Sequence, residues 1–348
     1  MTNLTFIEGA YLQDVLDQPR TIRDTAGALE TSQSLNQFSQ RLSLGSYQRV
    51  VLTGMGGSFH ILNPLYLKLV ELGFPAVMAE TSELIYFTPQ LLNNRTLLIV
   101  VSQSGRSAEI VRLLDRQGAR PTILGVTNDV TSPLAKKSDI LAVIQARAEA
   151  SVSCKTTTGS LAALAWISDC LSKADLQQTK RDLDHAASTI EEYLANWRNH
   201  SEVMARDLQG VRHLFVAGRG SSLAATGIGG MIMKEAAHFH SEGMGSAALR
   251  HGPFEMLSED CFVIVLAGDT HVEPLHRNLV QDVRKTGAKA ALVGTGTESA
   301  AFRLPAVRKE LRPIVEMIPM QMVSLALAAL AGREAGKFER IAKVTSSE

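Results

Sequence analysis

Short apolar runs alternate with amphipathic stretches along most of the chain. RVVLTG (49–54) is an apolar run that ends in glycine. SFHILNPLYLKLVELG (58–73) then places its apolar residues at helical spacing. PAVMAE (75–80), TLLIVVS (96–102) and PTILGVTN (121–128) are further strand-like runs. RSAEIVRLLDRQGA (106–119) is a helix between two of them, and ILAVIQ (140–145) is another strand candidate. Residues 1–45 read as helical and polar, without a core of their own. Residues 156–200 read as helical, first apolar (161–167), then charged and polar (173–199). Alternating apolar runs and amphipathic helices predict a parallel sheet covered by helices.

The pattern then starts again. VLTGMGGS (51–58) resembles FVAGRGSS (215–222), and LIVVSQSG (98–105) lines up with VIVLAGDT (263–270). After each comes a helix pattern ending at RQGA or KTGA, then a strand, TILGVTN or AALVGTG. The chain therefore reads as two copies of one α/β unit, each a doubly wound parallel sheet flanked by helices, a flavodoxin-like three-layer sandwich. The division expected is a helical segment at 1–40, a first domain at 41–185, a helical linker at 186–205, a second domain at 206–338 and a tail at 339–348. The copies differ at one strand tip, Ser-Gln-Ser-Gly in the first against Ala267-Gly268-Asp269 in the second. Asp269 would repel an anion, so the polar tip of the first copy is the candidate for function.

Composition narrows the field. Hydrophobic residues make up 45% and charged ones 20%, enough for a real core. The formal net charge of +0 gives no basic field for nucleic acid. Cys154, Cys170 and Cys261 are scattered and odd in number, which suits a reducing compartment rather than a disulfide framework. MTNLTFIEGAYLQDVLDQPR lacks the basic and apolar regions of a signal peptide. No apolar run of about 18 residues is found, so no membrane span and a cytoplasmic setting are expected.

The candidate chemistry sits at the strand tips. In open α/β sheets ligands bind at the carboxyl ends of strands, where helix N-termini present free N–H groups and partial positive charge. Ser102, Ser104 and Ser107 add hydroxyls, Gln103 adds an amide, and Gly105 admits close backbone approach. Gly54-Met55-Gly56-Gly57-Ser58 forms a second glycine-rich turn opening a helix. Two such turns on neighbouring strands suit a phosphate. The alternative is plain helix capping, since serine and glycine open many helices. Phe59 and Leu223 stand where a third glycine would complete G-x-G-x-x-G, and no G-x-x-x-x-G-K-[ST] occurs. No nucleotide or other cofactor is expected. His238-x-His240 with Glu242 lacks a partner set at zinc spacing, so structural histidines are expected and no metal.

SQSGRS (102–107) in the first copy, with GRG (218–220), KE (234–235), HFHSEG (238–243) and LRHGP (249–253) in the second, resembles the sugar isomerase (SIS) fold. The tail FERIAKVTSSE (338–348) adds to the likeness. The nearest kin by motif are double-SIS proteins such as the isomerase half of glutamine–fructose-6-phosphate aminotransferase, with the resemblance running over about residues 40–348. It implies a phosphate site at Gly56, Gly57, Ser58, Ser102, Gln103, Ser104 and Ser107. It implies a general base at Glu235, a ring-opening histidine at His251 and a Schiff-base lysine at Lys343. EASVSCKTTT (149–158) is similar to the family's substrate-contacting segment, with Val152 and Ser153 as the matched positions. A homodimer with composite sites is also implied.

The chemistry agrees with these residue types. Aldose–ketose interconversion moves a proton between C1 and C2, which a partly buried carboxylate can do. Histidine suits ring opening, and an amine forms an imine with a keto sugar. Three positions depart from the synthase pattern: Ile232 and Ala248 replace charged residues, and Arg106 follows SQSG, as in SIS-type glucosamine-6-phosphate deaminases. Arg106 is expected to add positive charge near the phosphate. The synthase's glutaminase domain finds no room before the first strand. The expected function is therefore a phosphosugar isomerase/deaminase, most specifically a glucosamine-6-phosphate deaminase. The alternatives are a fructosamine-6-phosphate deglycase-type enzyme and a non-catalytic sugar-phosphate sensor.

Overall fold

The computed structural model describes residues 4–41, 45–340 and 342–345. The chain forms two compact units. One holds residues 20–149, 155–184 and the tail from 340; the other holds residues up to 19, 150–154 and 185–339.

The first unit is built on a five-stranded parallel sheet. Its strands are β1 (Arg49–Gly54), β2 (Ala76–Glu80), β3 (Thr96–Val101), β4 (Thr122–Thr127) and β5 (Ile140–Val143), in the order β2-β1-β3-β4-β5. β3 is buried at every position, as expected of a central strand with helices on both faces. Thr53 of β1 pairs with Val100 of β3, so the turns that follow these strands leave the sheet side by side. This is the point where the strand order reverses and where such sheets bind ligands. The helix Lys155–Ser172 is buried along nearly its whole length and completes the unit's core.

The second unit repeats the plan with four parallel strands, β6 (His213–Gly218), β7 (Ser241–Gly245), β8 (Cys261–Leu266) and β9 (Lys289–Val293), in the order β7-β6-β8-β9. Among the described residues no fifth strand lies beside β9. Its outward carbonyls are taken by side chains instead: Arg284 donates to Ala290 O at 2.9 Å and Thr297 to Leu292 O at 2.7 Å. An edge so occupied is a poor template for another strand.

Sequence periodicity missed β7, because SEGMG lacks the β-branched and aromatic residues that mark strands. Its glycine serves packing. A Cβ on Gly230, in the helix Leu223–Ala237, would lie 2.3 Å from the backbone nitrogen of Gly243. Helix and strand thus touch backbone to backbone. Gly230→Ala is expected to destabilise the protein by about 1–3 kcal/mol. Denaturant unfolding checks this, and an unchanged midpoint would mean the contact has slack.

The helix Arg312–Leu330 departs from expectation. A 22-residue helical stretch, Lys309–Leu330, has mean hydropathy 1.6 and is long and apolar enough to cross a membrane, yet 94% of its apolar window is buried inside the fold. Gln321 and Ser324 interrupt its apolar run, and both are met within the unit. Gln321 and Gln18 exchange side-chain amide hydrogen bonds at 2.7 and 2.9 Å, and Ser324 meets the Tyr11 hydroxyl at 3.1 Å. Buried polar groups cost little when satisfied in this way. It is the core helix of its unit.

Candidate functional site

The loop after β3 is shaped by its own serines. Ser102 Oγ accepts the Gly105 N–H at 3.1 Å, and Ser104 Oγ accepts the Arg106 N–H at 3.2 Å. Each hydroxyl keeps its proton for a ligand. The Gln103 carbonyl is anchored to the end of β4 by Asn128 N–H at 3.0 Å and the Thr127 hydroxyl at 3.1 Å. Gly105 has φ +61°, and a Cβ there would meet Ser132 Oγ at 2.3 Å, so only glycine closes this turn. Ser107 stands at the N-cap of the helix Ala108–Leu114, yet its side chain makes no capping bond. Simple capping therefore does not account for Ser107, although turn formation does engage Ser102 and Ser104. Gly56 and Gly57 lie in the neighbouring turn with Ser58, all partly exposed.

Arg106 corrects an expectation. Its guanidinium grips Asp129 Oδ2 through Nε at 3.0 Å and Nη2 at 2.8 Å, and Nη2 also reaches Thr131 Oγ1 at 2.9 Å. Hydrogen bonds from the Thr131 hydroxyl and then from Arg106 hold the Asp129 carboxyl down at about 2. Asp129 stays ionised and engages the arginine, so Arg106 braces the loop rather than adding free positive charge to it.

The tail enters this same unit. The Thr345 carbonyl accepts the Ala108 N–H at 3.2 Å, at the start of the helix behind the serine loop. Lys343 Nζ donates to the carbonyl of Glu149 at 2.7 Å and to its Oε2 at 3.0 Å. Glu149 Oε1 in turn accepts the Thr156 N–H at 3.0 Å, and Oε2 accepts the Thr156 hydroxyl at 2.7 Å. Sequence reasoning had EASVSCKTTT in view but passed over Glu149, whose only signal is its place ahead of a buried helix. Thus one unit holds the Gly54–Ser58 turn, the serine loop and the lysine.

The remaining candidates belong to the other unit. Glu235 is half-buried on the helix Leu223–Ala237, with buried Ile232 one turn before it. Its neighbour Lys234 pairs with Glu242 at 3.8 Å. His251 is exposed and ends the short helix Ser246–Arg250, its N–H bonded to Ala248 O at 3.0 Å. Ala248 lies on that helix. Val152 is buried and Ser153 half-buried. His238 pairs with Glu339 at 3.8 Å, whereas His240 meets His213 at 3.1 Å. Among the described residues no three His, Cys, Asp or Glu side chains converge as metal ligands.

The equivalent crevice of the second sheet is filled by the protein itself. Asp269, at the tip of β8, pairs with Arg312 and lies beside Gly220. Ser222 donates to Glu316 Oε1 at 2.9 Å. Burial pushes the Glu316 carboxyl up to about 7, against the pull of Ser222 and Arg312. His276 bridges Ala267 O at 2.8 Å and Ser246 Oγ at 3.0 Å. The internal carboxylates stand where the first sheet presents hydroxyls.

Comparison with known proteins agrees with this architecture. Glutamine–fructose-6-phosphate aminotransferase [isomerizing] of Pyrococcus horikoshii is 27% identical over 98% of this chain, and the chain spans 58% of that relative's length. Among solved structures, the C-terminal domain of glucosamine-fructose-6-phosphate aminotransferase from Francisella tularensis aligns with TM-score 0.82 at 19% identity, over 95% of this chain and 98% of that one. Glucosamine-6-phosphate deaminase from Thermotoga maritima aligns with TM-score 0.79 at 18% identity, over 97% and 100% of the two chains. Residues 43–168 and 207–331 each match the SIS domain model, and the chain belongs to the SIS family with one domain in each half.

Proposed function

We propose that the chain is a phosphosugar isomerase/deaminase whose net reaction is amino-sugar phosphate plus water giving ketose phosphate plus ammonia, with glucosamine 6-phosphate as substrate. The observation that carries this reading is the docking of the Lys343 tail in the unit that holds the serine loop. In this reading Ser58, Ser102, Gln103, Ser104 and Ser107 hold the phosphate. His251 opens the ring, and Glu235 carries a proton from C2 to C1. The C2 imine so formed exchanges with the Lys343 amine, which releases ammonia. Water then frees the ketose phosphate.

The test is ammonia release from glucosamine 6-phosphate by the purified chain. Release supports the reading. Saturable binding without release would move the assignment to a sensor, and release only from fructosamine 6-phosphate would move it to a deglycase-type enzyme. The resemblance also supports a homodimer in which His251 serves the partner's site. Glu235→Gln and His251→Asn, each inactive, are then expected to regain up to about a quarter of wild-type activity when mixed and allowed to exchange subunits. A mixture that exchanges subunits but stays inactive would exclude sharing.

A further inference from the structure

Glu149 is placed more elaborately than a tether requires. Its side chain is completely buried while that of Lys343 keeps 23% exposure. Three donors converge on its carboxylate: the Thr156 N–H, the Thr156 hydroxyl and Lys343 Nζ. Thr156 sits in the first turn of the buried helix Lys155–Ser172, so the carboxylate is locked in place by a rigid element. The glutamate holds the lysine twice, through carboxylate and backbone carbonyl, which fixes Nζ in direction as well as distance. An exposed ion pair would contribute little. Here one partner is buried, and removing the other would take a charge partner from a buried carboxylate.

We propose that Glu149 is the positioning residue of Lys343, holding its ammonium at rest and taking its proton when the amine attacks the sugar. The inference rests on the reading of Lys343 given above. In the step, Lys343 passes one proton to the Glu149 carboxylate. The freed nitrogen lone pair forms a bond to C2 of the open-chain ketose phosphate. The C=O π pair moves to oxygen, which takes a proton from the attacking nitrogen to give a neutral carbinolamine. Loss of hydroxide from carbon as water, with the proton returned from Glu149, leaves the iminium. Atoms and charge balance, and no co-reactant is needed.

The experiment traps that iminium. Wild type, Glu149→Gln and Glu149→Asp are incubated with fructose 6-phosphate and borohydride, and the tail peptide is weighed for a reduced adduct on Lys343. Rates are taken across fructose 6-phosphate concentrations. Glutamine keeps the length and can still accept from Thr156, but it cannot take a proton; aspartate keeps the charge and loses length. The expected result is adduct in the wild type and a maximal trapping rate about 100-fold lower in Glu149→Gln. The half-saturating concentration should change by less than about threefold, with part of the rate restored in Glu149→Asp. A tether alone would not produce that split or that order. Wild-type trapping with Glu149→Gln equally fast, or slowed only through half-saturation, would overturn the role of Glu149 and leave Lys343 intact. No adduct on Lys343 in the wild type would overturn the lysine reading and this inference with it.

Discussion

Lys343→Ala is expected to lower ammonia release from glucosamine 6-phosphate by about 10³-fold or more, while changing sugar-phosphate affinity by less than about threefold. The two effects separate because the residues involved are different. In the proposed reading the phosphate is held by Ser58 and the loop from Ser102 to Ser107, whose shape comes from its own hydrogen bonds and from the end of β4. Lys343 is held instead by Glu149. Affinity is measured with glucitol 6-phosphate, which has the phosphate and hydroxyls but no carbonyl for an amine to attack. Lys343→Ala also strips the cation from a buried carboxylate, so the variant's melting temperature is recorded beside its activity. Lys343→Arg retains a charge on Glu149 without a useful nucleophile and is expected to be as inactive as alanine. Full ammonia release by the arginine variant would remove the lysine from the chemistry.

Much of this was legible in the sequence, and the exceptions share a cause. β1, β3, β6 and β8 announce themselves because a strand covered on both faces must be apolar at every position. The serine loop is legible because its residues are contiguous and their turn is local. β7 was missed because its glycine answers to the helix packed on it rather than to strand propensity. Arg106 was misjudged because Asp129 lies 23 positions away, and an ion pair with a distant partner leaves no periodic trace. Glu149 was passed over for the same reason, its lysine being 194 positions along the chain. The core helix Arg312–Leu330 escaped notice as a continuous apolar span because Glu316, Gln321 and Ser324 punctuate it, and only the fold supplies their partners.

Glu316→Gln is expected to stabilise the protein at alkaline pH and to flatten its dependence on pH. Glu316 is fully buried, and burial raises its carboxyl from 4.5 to about 7; nearby Asp269 pushes the same way, whereas the Ser222 hydrogen bond and Arg312 oppose. The sign follows from linkage. Below pH 4.5 the group is protonated both folded and unfolded, and folding loses nothing by it. As pH rises through the window from 4.5 to 7 the unfolded chain gives up its proton first, so stability falls. Above about 7 the loss is complete, roughly 3 kcal/mol for a shift of this size. Glutamine fills the same volume, can accept the Ser222 hydroxyl and has no charge to bury. The variant and the wild type should therefore melt alike near pH 5, and the variant should melt several degrees higher at pH 8.5. The difference between the two curves isolates Glu316, because every other titrating group is common to both. Parallel curves would mean that water or Arg312 relieves the buried charge. A divergence would show that the second unit carries, in Glu316, a buried carboxylate that lowers stability as the pH rises.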